Sequence, residues 1–288
     1  MARISQLFRL LDSANPQVAA RAALFLFTHP TRPAISSKAE KRLAIRAQAK
    51  LGEAAREDLR VCGYRIATYR FAADSAKRRG TVLMVHGWTS TAAFMTAPVD
   101  QLRERGYDVI AFDLPAHGAS SGRRAVLMDC VLAMVAVANR YGPIDTVIAH
   151  SYGGPVTTMA VVSELSPALR DDTQLVFIAS PNRLADVTEA FCRYIGLSRE
   201  AQALFEAELV EPFGGDIDAL DANLLLGECA NPMTILHSRD DAHVTFAHAE
   251  RYAGLGERVR VQPLEGLGHR RILHAQPSVT ALLDAVGG

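Results

Sequence analysis

The sequence predicts an α/β protein in which a mostly parallel sheet carries helices on both faces. Short apolar segments rich in β-branched residues alternate with segments whose apolar residues recur at helical spacing. This alternation specifies parallel pairing, because a crossover, usually a helix, must connect two neighbouring parallel strands. Hydrophobic residues make up 49% of the 288 residues and charged residues 22%, which is ordinary for a globular protein with a sizeable core.

The elements follow in a regular order along the chain. Residues 1–55 are expected to form a helical extension, with Pro16 at a helix start and the segment THPTRP (28–33) as a breaker between two helices. Residues 56–71 then read as two strands that turn near Gly63. Four apolar strands separated by helical segments come next: TVLMVH (81–86), YDVIAFD (107–113), IDTVIAH (144–150) and QLVFIAS (174–180).

Residues 181–232 interrupt the alternation and are expected to form a helical cap above the strand ends. Two further strands, MTILHS (233–238) and RVRVQPL (258–264), resume the pattern. The predicted core therefore comprises residues 56–180 and 233–288.

Composition excludes several classes of protein. The formal net charge is zero, which argues against nucleic acid as the main partner. No uninterrupted apolar run reaches the roughly 18 residues of a transmembrane helix, and the N-terminus does not read as a signal peptide. The four cysteines show no C-x-x-C pairing, so neither a metal site nor a disulfide framework is expected. These features favour a cytoplasmic protein.

Candidate catalytic residues follow three different strands. The segment VIAHSYGGPV (147–156) places Ser151 at a strand-to-helix junction, where the helix N-terminus stabilises developing negative charge. Later strand ends offer Asp240 or Asp241, and then His269. A serine, an acid and a histidine supply the nucleophile, the group that orients the imidazole, and the general base of acyl transfer.

Five motifs resemble those of the α/β-hydrolase superfamily, in its esterase, monoglyceride-lipase and proline-iminopeptidase-like branches. AHSYGG resembles the nucleophile elbow G-x-S-x-G, with Ala149 in place of the first glycine. The other four are MVHGWTS, similar to the HG-x loop, DLPAHGASSG, similar to the D-x-x-x-HG-x-S-x-G loop, SRDDAHV, similar to the acid loop, and GLGH, similar to the histidine loop. The resemblance runs from about residue 60 to the end, and implies the α/β-hydrolase fold with residues 181–232 as its variable cap.

The resemblance also implies roles for particular residues. Ser151, Asp241 and His269 would form the catalytic triad, and the register of SRDDAHV selects Asp241 rather than Asp240. The backbone N–H groups of Trp88 and Tyr152 would form the oxyanion hole.

The expected activity is that of a cofactor-free, metal-free serine hydrolase acting on a small-molecule acyl substrate. A carboxylic ester is the leading candidate for the bond that is cleaved. Amide, thioester or carbon–carbon cleavage by the same triad remains an alternative, as does a non-catalytic binding protein with a hydrolase fold.

Other histidines are given non-catalytic roles. His86 and His117 are expected to hold their loops through hydrogen bonds, and His150 is expected to pack away from the nucleophile. His243 and His248 lack a metal-ligand partner at helical spacing, so solvated helix positions are predicted for both.

Charge is unevenly distributed along the chain. Residues 1–60 carry 11 Lys and Arg against 5 Asp and Glu, whereas residues 181–232 carry 3 against 10. Either both segments are solvated helix faces, or the basic extension docks on the core or on the acidic cap of a second subunit in a homo-oligomer. A role at a membrane surface competes with docking. The acidic cap also suggests a neutral or cationic substrate.

Overall fold

A twisted sheet of eight strands lies at the centre of the computed structural model, which describes residues 2–31, 37–74 and 78–287. The strands run in the order β1-β2-β4-β3-β5-β6-β7-β8. Pairs β1–β2 and β2–β4 are antiparallel, and all other neighbours are parallel, which confirms the predicted mostly parallel sheet. The strands are β1 (Ala55–Val61), β2 (Tyr64–Phe71), β3 (Gly80–Val85), β4 (Tyr107–Phe112), β5 (Ile144–His150), β6 (Leu169–Ile178), β7 (Met233–Ser238) and β8 (Val259–Leu264).

Helices connect the strands and flank the sheet. They are α1 (Ala2–Ala14), α2 (Pro16–Thr28), α3 (Lys38–Leu51), α4 (Val99–Glu104), α5 (Leu127–Tyr141), α6 (Gly153–Val162), α7 (Leu184–Ile195), α8 (Arg199–Val210), α9 (Ala222–Leu225), α10 (Ala247–Tyr252), α11 (Gly268–Arg271) and α12 (Gln276–Gly287). Short 3₁₀ helices occur at Ala92–Met95, Glu211–Phe213 and Ala253–Leu255. Within the described ranges, none of the helices combines the length and the apolar character needed to cross a membrane.

The predicted boundary near Pro16 is confirmed by a cap. Pro16 is the first residue of α2, and the Asn15 side chain accepts hydrogen bonds from the N–H groups of Gln17 and Val18. This arrangement satisfies donors that the first turn of a helix leaves unpaired. Helix α2 ends at Thr28, where the predicted breaker begins; residues 32 and 33 of that breaker lie outside the described residues.

Side chains alternate between the two faces of the sheet along each strand, and helices cover both faces, so both sets of side chains are buried. In β5, Val147 and Ala149 belong to a cluster with α5, α6 and α10, whereas Ile148 belongs to a cluster with α3, α4 and α12. The nucleophile candidate follows this central strand directly, so its backbone is anchored at the buried centre of the sheet.

Helices α1 and α2 pack against α7 and α8 of the same chain. Phe8 and Ala23 share a buried cluster with Cys192 and Phe205, and the Phe27 ring lies 5.4 Å from the Phe205 ring. Polar contacts reinforce the packing: Arg21 Nε lies 3.4 Å from Glu208 Oε1, and Ser198 Oγ donates to Asp12 Oδ1 at 3.0 Å. One face of the extension is therefore docked within its own chain, while the Arg21 side chain stays 71% exposed to solvent. Docking on a second subunit stays a prediction. The division of the chain into core, extension and cap stays a prediction.

Candidate active site

Ser151 occupies a tight turn between β5 and α6. Its φ of 51° lies in the left-handed region, which residues other than glycine rarely adopt. The turn has room because two neighbouring residues are glycines: a Cβ added to Gly87 would lie 2.9 Å from Ser151 Cβ, and one added to Gly153 would lie 2.5 Å from Val85 O. The geometry lifts the hydroxyl clear of the sheet edge and directs it into a cavity.

The Ser151 hydroxyl is the first member of a continuous series of hydrogen bonds that includes two further side chains. His269 Nε2 lies 3.0 Å from Ser151 Oγ, and His269 Nδ1 lies 2.7 Å from Asp241 Oδ2. The Asp241 side chain is fully buried and that of His269 is 12% exposed. The structure thus brings together three residues that are up to 118 positions apart in the sequence.

The two candidate acids have different surroundings. Asp241 Oδ1 accepts hydrogen bonds from the N–H groups of His243 and Val244, which leaves Oδ2 aimed at His269. Asp240 is exposed and accepts hydrogen bonds from Ser238 Oγ and Gly268 N. Asp241 is therefore the carboxylate in contact with the histidine.

Electrostatics keep the Asp241 carboxylate charged. Burial by itself raises the pKa of Asp241, but the hydrogen bond and charge of His269 and the N–H groups of Val244 and His243 lower it more. The net pKa of Asp241 lies below its usual value. An ionised carboxylate at Nδ1 fixes the imidazole in the tautomer whose Nε2 can accept a proton.

Trp88 and Tyr152 flank the serine, and their rings meet edge to face with centroids 5.3 Å apart. The Trp88 loop is held by two histidines: His86 Nε2 accepts from Leu114 N at 3.0 Å, and His117 Nε2 accepts from Thr89 N at 3.2 Å. Burial lowers the pKa of His86 to about 4, so its ring stays neutral as this bonding requires. The role of the two backbone N–H groups in an oxyanion hole stays a prediction.

Three other histidines differ from expectation. His150 does not merely pack: its Nε2 contacts His269 O at 2.9 Å, and its ring lines the same cavity as Ser151. His243 lies in a loop rather than a helix and stacks on the His269 ring, with centroids 5.3 Å apart. His248 is on helix α10 but buried, and its Nδ1 accepts a hydrogen bond from Asn182 N. The spacing of histidines along the sequence does not indicate these contacts, because the partners are distant in sequence.

The cavity in front of Ser151 has a volume of about 1010 Å³. One wall is helix α3, and others come from the 3₁₀ helix Ala92–Met95 and from residues 269–274. The contribution of α3 was missed by sequence reasoning. Its excess of basic residues was the available signal, but charge alone does not say what a helix packs against.

Among the described residues, no group of three or more His, Cys, Asp or Glu side chains is arranged to hold a metal ion. The polar groups at the strand ends instead form the hydrogen-bonded series from Asp241 to Ser151.

Sequence comparison identifies the family. The model of the alpha/beta hydrolase family matches residues 82–281, so the chain belongs to that family. No curated protein sequence matches the chain.

Solved structures share the fold at low sequence identity. The esterase Est1E from Butyrivibrio proteoclasticus, solved with ferulic acid bound, superposes with a TM-score of 0.62 at 15% identity, over 80% of this chain and 96% of that chain. The esterase EaEST from Exiguobacterium antarcticum gives 0.60 at 16% identity, over 80% and 99%. A bromoperoxidase from Bacillus anthracis gives 0.60 at 17% identity, over 81% and 100%. The predicted α/β-hydrolase fold is confirmed, and the family supports a hydrolase, whereas neighbours with such different activities do not select a reaction.

Proposed function

We propose that this protein is a serine hydrolase that cleaves carboxylic esters through an acyl-enzyme. The observation that carries the proposal is the hydrogen-bonded series from Ser151 Oγ through His269 to Asp241, at 3.0 Å and 2.7 Å. A serine hydroxyl is a weak nucleophile until an oriented imidazole can accept its proton.

Each residue has a defined task in the proposed cycle. Ser151 Oγ attacks the acyl carbonyl while its proton passes to His269 Nε2, and the ionised Asp241 stabilises the imidazolium. The N–H groups of Trp88 and Tyr152 would receive the oxyanion. His269 then gives its proton to the departing alcohol, which leaves an acyl-serine. Water, activated by His269, releases the acid and restores the serine. The cycle uses no cofactor.

The test is covalent labelling of the nucleophile. A fluorophosphonate probe should modify the wild type and Ser13→Ala, an exposed control serine, but not Ser151→Ala. In parallel, 4-nitrophenyl esters of graded chain length should be hydrolysed by the wild type and at least about 10⁴-fold more slowly by Ser151→Ala. Equal labelling of the wild type and Ser151→Ala would contradict the assignment.

The outcomes separate the alternatives. Ser151-dependent labelling without ester turnover would favour an amide, thioester or carbon–carbon bond as the substrate of the same triad. The absence of both would favour a non-catalytic binding protein.

A further inference from the structure

The cavity that holds Ser151 has an uneven lining. Leu43 and Ala47 of α3, with Ala93, Phe94 and Leu273, supply apolar surface. A volume of about 1010 Å³ lies at the upper end of the range for small-molecule pockets, so there is room for a substrate well beyond the scissile bond.

The charged residues of the lining are mainly basic. Helix α3 contributes Arg46 and Lys50, and the chain after His269 contributes Arg270 and Arg271. Two carboxylates, Glu40 and Asp100, also line the cavity. Lys50 is already paired, since its Nζ lies 2.8 Å from Asp100 and 2.7 Å from Glu53.

Arg46 and Arg271 differ from the paired Lys50. Both are exposed at the cavity, and within the part of the chain that the structure describes neither guanidinium has an ion-pair partner. Both line the same cavity as His274. The pKa of His274 is lowered, first by desolvation and then by the charges of Arg271 and Arg46. Two guanidinium groups that line one cavity and have no ion-pair partner among the described residues favour binding of an anion.

The acidic segment 181–232 does not oppose such a ligand. None of the described residues that line the cavity comes from that segment. Its helices α7 and α8 face α1 and α2 instead, with Glu208 beside Arg21. The reason for expecting a neutral or cationic substrate therefore does not hold at this cavity.

We propose that the cavity selects acyl esters that carry an anionic group, a carboxylate or a phosphate, away from the scissile bond. Arg46 and Arg271 bind the anion, while the apolar surface of Leu43 and Phe94 holds the uncharged part of the substrate. The proposal rests on Ser151 as the nucleophile and adds the class of substrate.

The experiment compares charged esters with neutral analogues of the same length. One pair is 4-nitrophenyl hydrogen glutarate and 4-nitrophenyl methyl glutarate. The phosphonate ester 4-nitrophenyl 4-phosphonobutyrate stands in for a substrate that carries a phosphate. A second pair, 4-butyryloxybenzoate and its methyl ester, places the carboxylate in the leaving group. The variants are Arg46→Gln and Arg271→Gln, and the matched control is Arg42→Gln, an exposed residue of α3 that does not line the cavity.

The wild type should prefer at least one charged ester over its neutral analogue, and added salt should reduce that preference. Each cavity variant should lower kcat/KM for the preferred charged ester by about tenfold, mainly through KM, because a charge-assisted hydrogen bond is lost. The neutral esters and Arg42→Gln should stay within about twofold of the wild type. The preferred arm shows whether the anion belongs to the acyl part or the leaving group, and whether carboxylate or phosphate is favoured.

Equal losses on charged and neutral esters, or the same loss in Arg42→Gln, would overturn the proposal. Binding is also measured without turnover, by calorimetry of 4-nitrophenyl hydrogen glutarate, the phosphonobutyrate ester and 4-butyryloxybenzoate with Ser151→Ala. Tighter binding of a charged ester than of its neutral analogue, lost on adding Arg271→Gln, supports the anion site even if esters prove not to be the natural substrates. Equal binding of charged and neutral esters overturns it while leaving the role of Ser151 untouched.

Discussion

At the scale of single residues, the acid that orients His269 can be identified by substitution. Replacing Asp241 by Asn should lower kcat by about 10³- to 10⁴-fold, because an amide NH₂ at His269 Nδ1 favours the wrong imidazole tautomer. Asp240→Asn, the adjacent control, should change kcat by no more than a few-fold, since Asp240 contacts Ser238 and Gly268 rather than the histidine. Steady-state kinetics on one ester, with circular dichroism to check folding, makes the comparison. Severe loss in Asp240→Asn alone would move the role to that residue.

At this scale, local sequence encodes some site residues and not others. Ser151 could be picked out because the strand before it and the glycines after it define its turn, and His269 because it follows a strand in a glycine loop. Arg46 could not be picked out. Its place in the cavity depends on α3 and the chain that follows His269 lining the same space, although the two segments are more than 200 residues apart in the sequence.

The packing of α2 on α8 yields a prediction at the scale of elements. Phe205 is fully buried there, so Phe205→Ala should lower the free energy of unfolding by about 3–4 kcal/mol through lost burial and a residual cavity. Leu224→Ala, which shortens a side chain that is 70% exposed, should change it by no more than about 0.5 kcal/mol. Urea unfolding followed by circular dichroism measures both. Indistinguishable midpoints would mean that the docked helices add little to stability.

Element boundaries were predictable where the apolar pattern reaches the end of the element. The predicted bounds of β5 and β7 match the structure. Strand β6 begins at Leu169, five residues earlier than predicted. The prediction missed this start because residues 170–173 are polar and show no strand pattern. The register there is irregular, and Leu169 pairs with Ile144 across the shift.

For the whole molecule, buried histidines predict how stability depends on pH. Burial lowers the pKa of His86 and His248 to about 4 and those of His117 and His150 to about 3. An unfolded chain protonates these side chains near pH 6.5. Between about pH 6.5 and pH 4 the unfolded state thus binds more protons than the folded state, so the free energy of unfolding must fall as the pH falls.

The expected slope is up to about 1.4 kcal/mol per pH unit for each such histidine below pH 6. Urea unfolding at pH 7.5, 6.0 and 5.0 should show a steady loss of stability. His248→Gln, which removes one titrating group away from the serine, should make the slope shallower whatever its effect at pH 7.5. A stability that does not change over this range would show that these rings take up protons in the folded state.

The position of helix α3 has a consequence for how relatives of this protein are sorted. The region shared with the family spans residues 82–281, whereas α3, one wall of the cavity at Ser151, spans Lys38–Leu51 and lies outside it. The proposed catalytic residues thus lie within the shared region, whereas part of the cavity lining, Arg46 included, comes from a segment before it that can diverge separately. Two homologues with nearly identical cores and different N-terminal helices would be placed side by side in a family tree and yet have different walls at this cavity. A grouping of relatives by substrate therefore has to compare the helix that precedes the shared region together with that region.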